Sequence, residues 1–171
     1  MRRDQTKSIS AIQPATVGYQ AKMRIPCAVL GIRTEGDALV GVDFLPANAS
    51  ILAPCDDFTR TVCEQVAAYL RDPDFILDVP LRLSATAHQS KVWQALRTIP
   101  RGSALTYGAL AQQLASSPRA VGGACGDNPI PLFIPCHRVV AKNGFGGFMH
   151  HANGAPLNIK EWLLHHEGWQ P

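Results

Sequence analysis

Three prolines, Pro129, Pro131 and Pro135, fall within seven residues, and the last runs straight into Cys136-His137-Arg138-Val139. Proline fixes φ near about −65° and has no N–H to donate, so no helix passes through this stretch. Pro131-Leu132-Phe133-Ile134 is therefore predicted to be a buried strand that presents the cysteine on a stiff support. A free thiol has a pKa of about 8.5 and is mostly protonated at neutral pH, so a nucleophilic cysteine needs a nearby cation or general base. His137 and Arg138 are both candidates. The alternative is an inert core thiol, since cysteine is among the most buried residue types. Cys27, Cys55, Cys63 and Cys125 lack such neighbours and read as structural.

The chain falls into two halves of different pattern. Residues 1–20 mix charge with Ser, Gln and Thr without period and read as a loose arm. Cys27 to Ile32 and Ala38 to Leu45 flank Thr34-Glu35-Gly36-Asp37, a hairpin signature. Asp56 or Asp57 caps a helix carrying Val62, Val66 and Leu70 at helical spacing, and Phe75 to Leu83 is predicted to return as a strand. Residues 21–85 thus form a small α+β domain. Residues 86–171 are mainly helical, with amphipathic segments at Lys91–Leu96 and Tyr107–Leu114 and a helix of small residues at Arg119–Cys125. The break at Ser116-Ser117-Pro118 gives the last pair helix-turn-helix proportions.

At 171 residues, with 46% hydrophobic and 17% charged residues, the chain can bury a substantial core. No apolar run approaches the roughly 20 residues that span a bilayer. Five cysteines without a CxxC pair, and no basic segment leading into an apolar stretch, predict a reducing, cytoplasmic or nucleoid-associated setting. Residues 1–88 hold nine Lys/Arg against ten Asp/Glu, whereas residues 89–171 hold seven against three. The cysteine half is the basic half, which suits a phosphate-rich partner.

Five motifs in one order extend this reading: Tyr107-Gly108-Ala109-Leu110-Ala111, Arg119-Ala120-Val121-Gly122, Asn128-Pro129, Pro135-Cys136-His137-Arg138-Val139 and Lys160-Glu161-Trp162-Leu163-Leu164-His165-His166-Glu167-Gly168. Together they resemble the O6-alkylguanine-DNA alkyltransferases over about Thr86 to Gly168. The resemblance implies single-turnover transfer of an alkyl group from O6-alkylguanine, and O4-alkylthymine, in double-stranded DNA to Cys136, by a monomer that needs no cofactor and no metal. It further implies that a water links Cys136 to His137, that Glu167 orients the imidazole, and that Asn128 holds the loop before the nucleophile. Arg119 would fill the gap left by a flipped nucleotide, and Tyr107 would meet the neighbouring phosphate and the pocket. Ala120, Gly122 and Gly123 would let the recognition helix lie in the minor groove. Val139, Phe148 and Met149 would line the base pocket. Arg138 is expected to be a structural hydrogen-bonding residue.

The chain departs from the family at Gly147-Phe148-Met149-His150-His151, where many relatives carry a Gly-Tyr-Ser-Gly-Gly type loop, and it has extra residues through Pro156. This alters the pocket wall. Adjacent histidines are poor metal-ligand spacing, so no metal site is expected there. Three other readings stay open at this point: a lesion sensor without transfer, a cysteine hydrolase built on Cys136 and His137, and a helix-turn-helix regulator without chemistry.

Overall fold

The structure is a computed structural model and describes residues 18–171. Most of the expected arm, residues 1–17, lies outside the described residues. Its end, Tyr19 and Gln20, is tied to a sheet: the Gln20 N–H donates to the Ile32 carbonyl at 2.9 Å. That sheet is antiparallel, in the order β1 (Ala21–Ile25), β2 (Ala28–Glu35), β3 (Ala38–Leu45). β1 was not visible in the hairpin pattern. Gly31 in β2 leaves room for the Tyr19 ring, which a Cβ there would approach to 2.3 Å.

Helix α1 (Asp57–Arg71) starts at Asp56, whose carboxylate accepts from the Thr59 N–H at 2.7 Å. Its buried Val62, Val66 and Tyr69 lie at helical spacing on one face. The strand expected at Phe75–Leu83 does not form. Only one bridge exists, in which Leu39 donates to the Pro80 carbonyl and accepts from the Arg82 N–H. Pro80 has no N–H to continue a ladder.

Helix α2 (Ala87–Thr98) begins with a capping box of Thr86 and Gln89, and its Trp93 indole donates to the Ala124 carbonyl at 2.8 Å. β4 (Leu105–Thr106) leads into α3 (Tyr107–Gln113), and Ser117 caps α4 (Pro118–Gly126). The α3–α4 pair occupies the segments predicted for the helix-turn-helix. The short β5 (Val139–Val140) pairs in parallel with β4, which fastens the chain just after the cysteine to the start of α3. Helix α5 (Ala155–His166) closes the chain.

The predicted α+β class holds: one three-stranded sheet with a single helix precedes a largely helical segment. One apolar cluster runs from Leu30 and Val66 through Leu96 to Ile134 and Leu163, so sheet and helices share a core. The sheet also braces the site from behind. Val42 donates to the Pro129 carbonyl at 2.9 Å, and the Phe44 and Phe148 rings meet at 5.8 Å.

Candidate active site

The stretch from Ile130 to Pro135 is buried, but it is a turn rather than the strand expected at Pro131–Ile134. Two prolines withhold N–H groups, Leu132 takes a left-handed φ of 75°, and Ile134 donates back to Ile130 at 3.0 Å. The Asn128 side chain staples the turn from inside: its amide donates to the Ile134 carbonyl at 2.8 Å, and its oxygen accepts from the Ile130 N–H at 3.0 Å. A short 3-10 turn follows at Cys136–Arg138, so the cysteine and histidine do not sit on extended backbone with their side chains on opposite faces.

Cys136 and His137 are both buried. His137 Nε2 lies 2.9 Å from Glu167 Oε1, and Arg138 forks onto the same carboxylate with Nε and Nη2 at 2.9 and 2.8 Å. Tyr69 of α1 donates a fourth hydrogen bond to it at 2.9 Å. Burial alone would raise the Glu167 carboxyl, but the hydrogen bonds from His137 and Arg138 outweigh it and hold the group well below the usual carboxylate range. Glu167 is thus ionised and orients the ring with Nε2–H toward it. Burial lowers the His137 imidazole from its ordinary 6.5, against an upward pull from Glu167. The ring is therefore neutral near pH 7, with Nδ1 as the lone-pair nitrogen. That nitrogen is buried and has no hydrogen-bond partner among the described residues.

Burial pushes the Cys136 thiol upward, while the Asn128 amide and the Lys160 charge pull it down. The resting thiol is protonated. Lys160 is fully buried on α5, with its ammonium on the Val139 carbonyl at 2.6 Å, the Gly147 carbonyl at 2.8 Å and the Tyr107 hydroxyl at 3.4 Å. Desolvation brings it down to about 8, against the opposing pull of Cys136 and Cys125.

A cavity of about 380 Å³ opens onto the Cys136 side chain and is lined in part by Tyr107, Gly122, Cys125, Phe148 and Met149. This is ample for a small ligand. Val139, expected in the pocket, does not line it: its side chain is buried in β5, and its carbonyl serves Lys160. Tyr107 donates to the Gly147 carbonyl at 3.1 Å, fixing the cavity wall to α3. Arg119 and Ala120 are exposed on the first turn of α4, and Gly123 has open space where a Cβ would stand.

Residues 87–169 match the family described as 6-O-methylguanine DNA methyltransferase, DNA binding domain. A methylated-DNA-protein-cysteine methyltransferase of Methanosarcina acetivorans is 34% identical over 157 residues, covering 88% of this chain and 98% of the relative. The chain belongs to the methylated-DNA-protein-cysteine methyltransferases. Another member, from Shigella flexneri, is 46% identical over 93 residues, and there the chain spans 52% of the relative's length. The solved structure of Mycobacterium tuberculosis OGT in complex with DNA superposes with a TM-score of 0.71 at 31% identity, covering 86% of this chain and 91% of that one.

Within this methyltransferase chain the fold brings together Cys136, His137, Glu167, Asn128 and Tyr107. Sequence reasoning gave Lys160, Tyr69 and Cys125 no place in the site. A usable signal existed for the first: Leu157, Lys160, Leu163, Leu164 and Glu167 recur at i, i+3 and i+4, a stripe that puts both ionisable groups on the inward face of α5. Cys125, read as structural, lines the cavity with Cys136, and burial pushes its thiol up to about 12. Nothing in the pattern marks Tyr69, which reaches Glu167 from 98 residues away.

Proposed function

We propose that this protein repairs DNA by moving an alkyl group from O6 of guanine, or O4 of thymine, irreversibly onto Cys136. The observation that carries the reading is the buried chain Glu167–His137 beside a buried thiol that opens onto a base-sized cavity. Because burial keeps the resting thiol protonated, the proton must leave as the nucleophile is used. Neutral His137 Nδ1 takes it through a bridging water, Glu167 stabilises the resulting imidazolium, and Lys160 favours the thiolate. The sulfur attacks the alkyl carbon in line, a C–S bond forms and the C–O bond breaks. Its electron pair stays on the base, which gains a proton to become normal guanine. Overall, a thiol and an aryl ether become a thioether and guanine, with no cofactor required.

A thioether is a poor leaving group, so each molecule acts once. The buried thiol cannot meet a stacked base, so the nucleotide must swing out at a cost of about a few kcal/mol. Arg119 and Tyr107 then support the gap and the flanking phosphate, with Ala120, Gly122 and Gly123 against the minor groove. Partner and setting follow: the ligand is duplex DNA, met by a monomer in a reducing compartment.

Titrating the protein with a duplex carrying O6-methylguanine tests this reading. Lesion loss should plateau at one equivalent per protein. Continued turnover of an acyl substrate would favour the hydrolase, binding without lesion loss the sensor, and preference for one operator sequence the regulator.

A further inference from the structure

The residues that depart from the family are anchored in a way the alkyl transfer itself does not require. Met149 and His150 both have left-handed backbones, with φ of 50° and 62°, between the mutual hydrogen bonds that join Phe148 and His151 at 2.8 and 2.9 Å. Two adjacent side-chain-bearing residues in that conformation persist only where their surroundings hold them. The holding group is outside the loop. His150 Nε2 lies 2.8 Å from Asp127 Oδ1, at the end of α4, and the other Asp127 oxygen accepts from Gln89 of the α2 capping box at 3.0 Å. Gly126 makes the seat, since a Cβ there would come within 2.4 Å of the imidazole. Gly126, Met149, His150 and His151 all line the Cys136 cavity.

We propose that His150, seated on Gly126 and held by Asp127, is a specificity-determining latch that keeps the 147–152 wall closed over the cavity and selects small alkyl groups against bulky ones. The proposal rests on the transfer reading above. Both partners are about half exposed, at 58% and 49%, so the latch is weak by construction. Releasing it should raise the population of an open wall by about fivefold, the factor that a surface pair of this kind supports. Gly126 offers a release on a different element from the histidine. Alanine there suits a helix terminus, and the atoms nearest its Cβ all belong to the far end of the His150 side chain, so Gly126→Ala should fold normally while unseating the ring.

The test compares wild type with His150→Ala, Asp127→Ala and Gly126→Ala, following adduct formation on the Cys136 peptide by mass spectrometry. Two substrate pairs are used: duplexes carrying O6-methylguanine or O6-benzylguanine, and iodoacetamide or its N-benzyl derivative. In both pairs the bulky-to-small rate ratio should rise by about fivefold in all three variants. His150→Gln, which retains a donor for Asp127, should bring the ratio back to within about twofold of wild type. Ratios unchanged in all three variants, or raised only in His150→Ala, would overturn the latch. Failure of wild type to accept methyl from DNA would instead overturn the transfer reading, since the iodoacetamide pair reports on the wall without it.

Discussion

Lys160 is the residue that most changes how the thiol is understood. Its ammonium has three oxygen partners and sits close enough to Cys136 to pull that thiol down against burial. Lys160→Met should slow Cys136 alkylation by about a hundredfold, the scale for removing one preorganised charge donor. DNA affinity, measured separately by fluorescence anisotropy, should stay within about threefold, because the group is buried away from the exposed face of α4. The lysine loses its proton through about pH 8, so its charge is present below that value and absent above it. The advantage of wild type over Lys160→Met should accordingly shrink as pH rises past 8. His137 gives the opposite limb: its pKa lies below 6.5, so the base stays competent down through that pH and fails only under more acid conditions. A pH-rate profile whose acid limb is centred at or above 6.5 would contradict this assignment. At this scale the sequence was most readable where chemistry forced unusual neighbours, as in Cys136-His137-Arg138. Lys160 was hidden because a lysine is normally read as a solvated charge, and only helical register shows that it points inward.

Elements position these groups through their ends and breaks. Proline spacing predicted a stiff buried strand before Cys136, and the segment is instead a turn stapled by two hydrogen bonds of the Asn128 side chain. Asn128→Ala should destabilise the fold by about 1–3 kcal/mol, since it orphans the buried Ile130 N–H and leaves the Ile134 carbonyl with the Cys136 N–H alone. Thermal unfolding would check this, and a loss below about half a kcal/mol would mean that the prolines alone hold the turn. Helices were legible from periodicity, and α1 also from its cap Asp56, whereas the caps Thr86 and Ser117 emerge only in the structure. The Phe75–Leu83 segment was not, because local composition does not reveal that Pro80 stops its ladder at one bridge. On α4, Arg119 is exposed, and as the residue proposed to fill the flipped nucleotide's gap its change Arg119→Ala should slow alkylation of Cys136 by duplex DNA far more than by single-stranded DNA, measured as adduct formation.

Across the whole molecule, Glu167 is the meeting point of α1, the 3-10 turn and the end of α5. Tyr69, His137 and Arg138 all converge on it. The His166 ring adds a second tie, with Nε2 2.8 Å from the Tyr69 carbonyl. Glu167→Gln would leave a mostly buried Arg138 without its counter-charge, and should cost about 3 kcal/mol of stability near pH 7. The wild-type carboxyl is held below its ordinary 4.5, so its contribution is complete above that value and lost as pH falls toward the folded one. Denaturant titrations at pH 7 and pH 4 should therefore show a smaller acid penalty in Glu167→Gln than in wild type. Such long-range convergence leaves no trace in local pattern, which is why the halves looked more independent in sequence than they are in the folded chain.

The account depends most on what happens to one sulfur. Incubation with duplex DNA carrying a single O6-methylguanine, followed by proteolysis and peptide mass mapping, should show one methyl group on the Cys136 peptide, none on the Cys125 peptide, and none anywhere in Cys136→Ser. Lesion removal with Cys136 unmodified, or methylation that survives in Cys136→Ser, would contradict it.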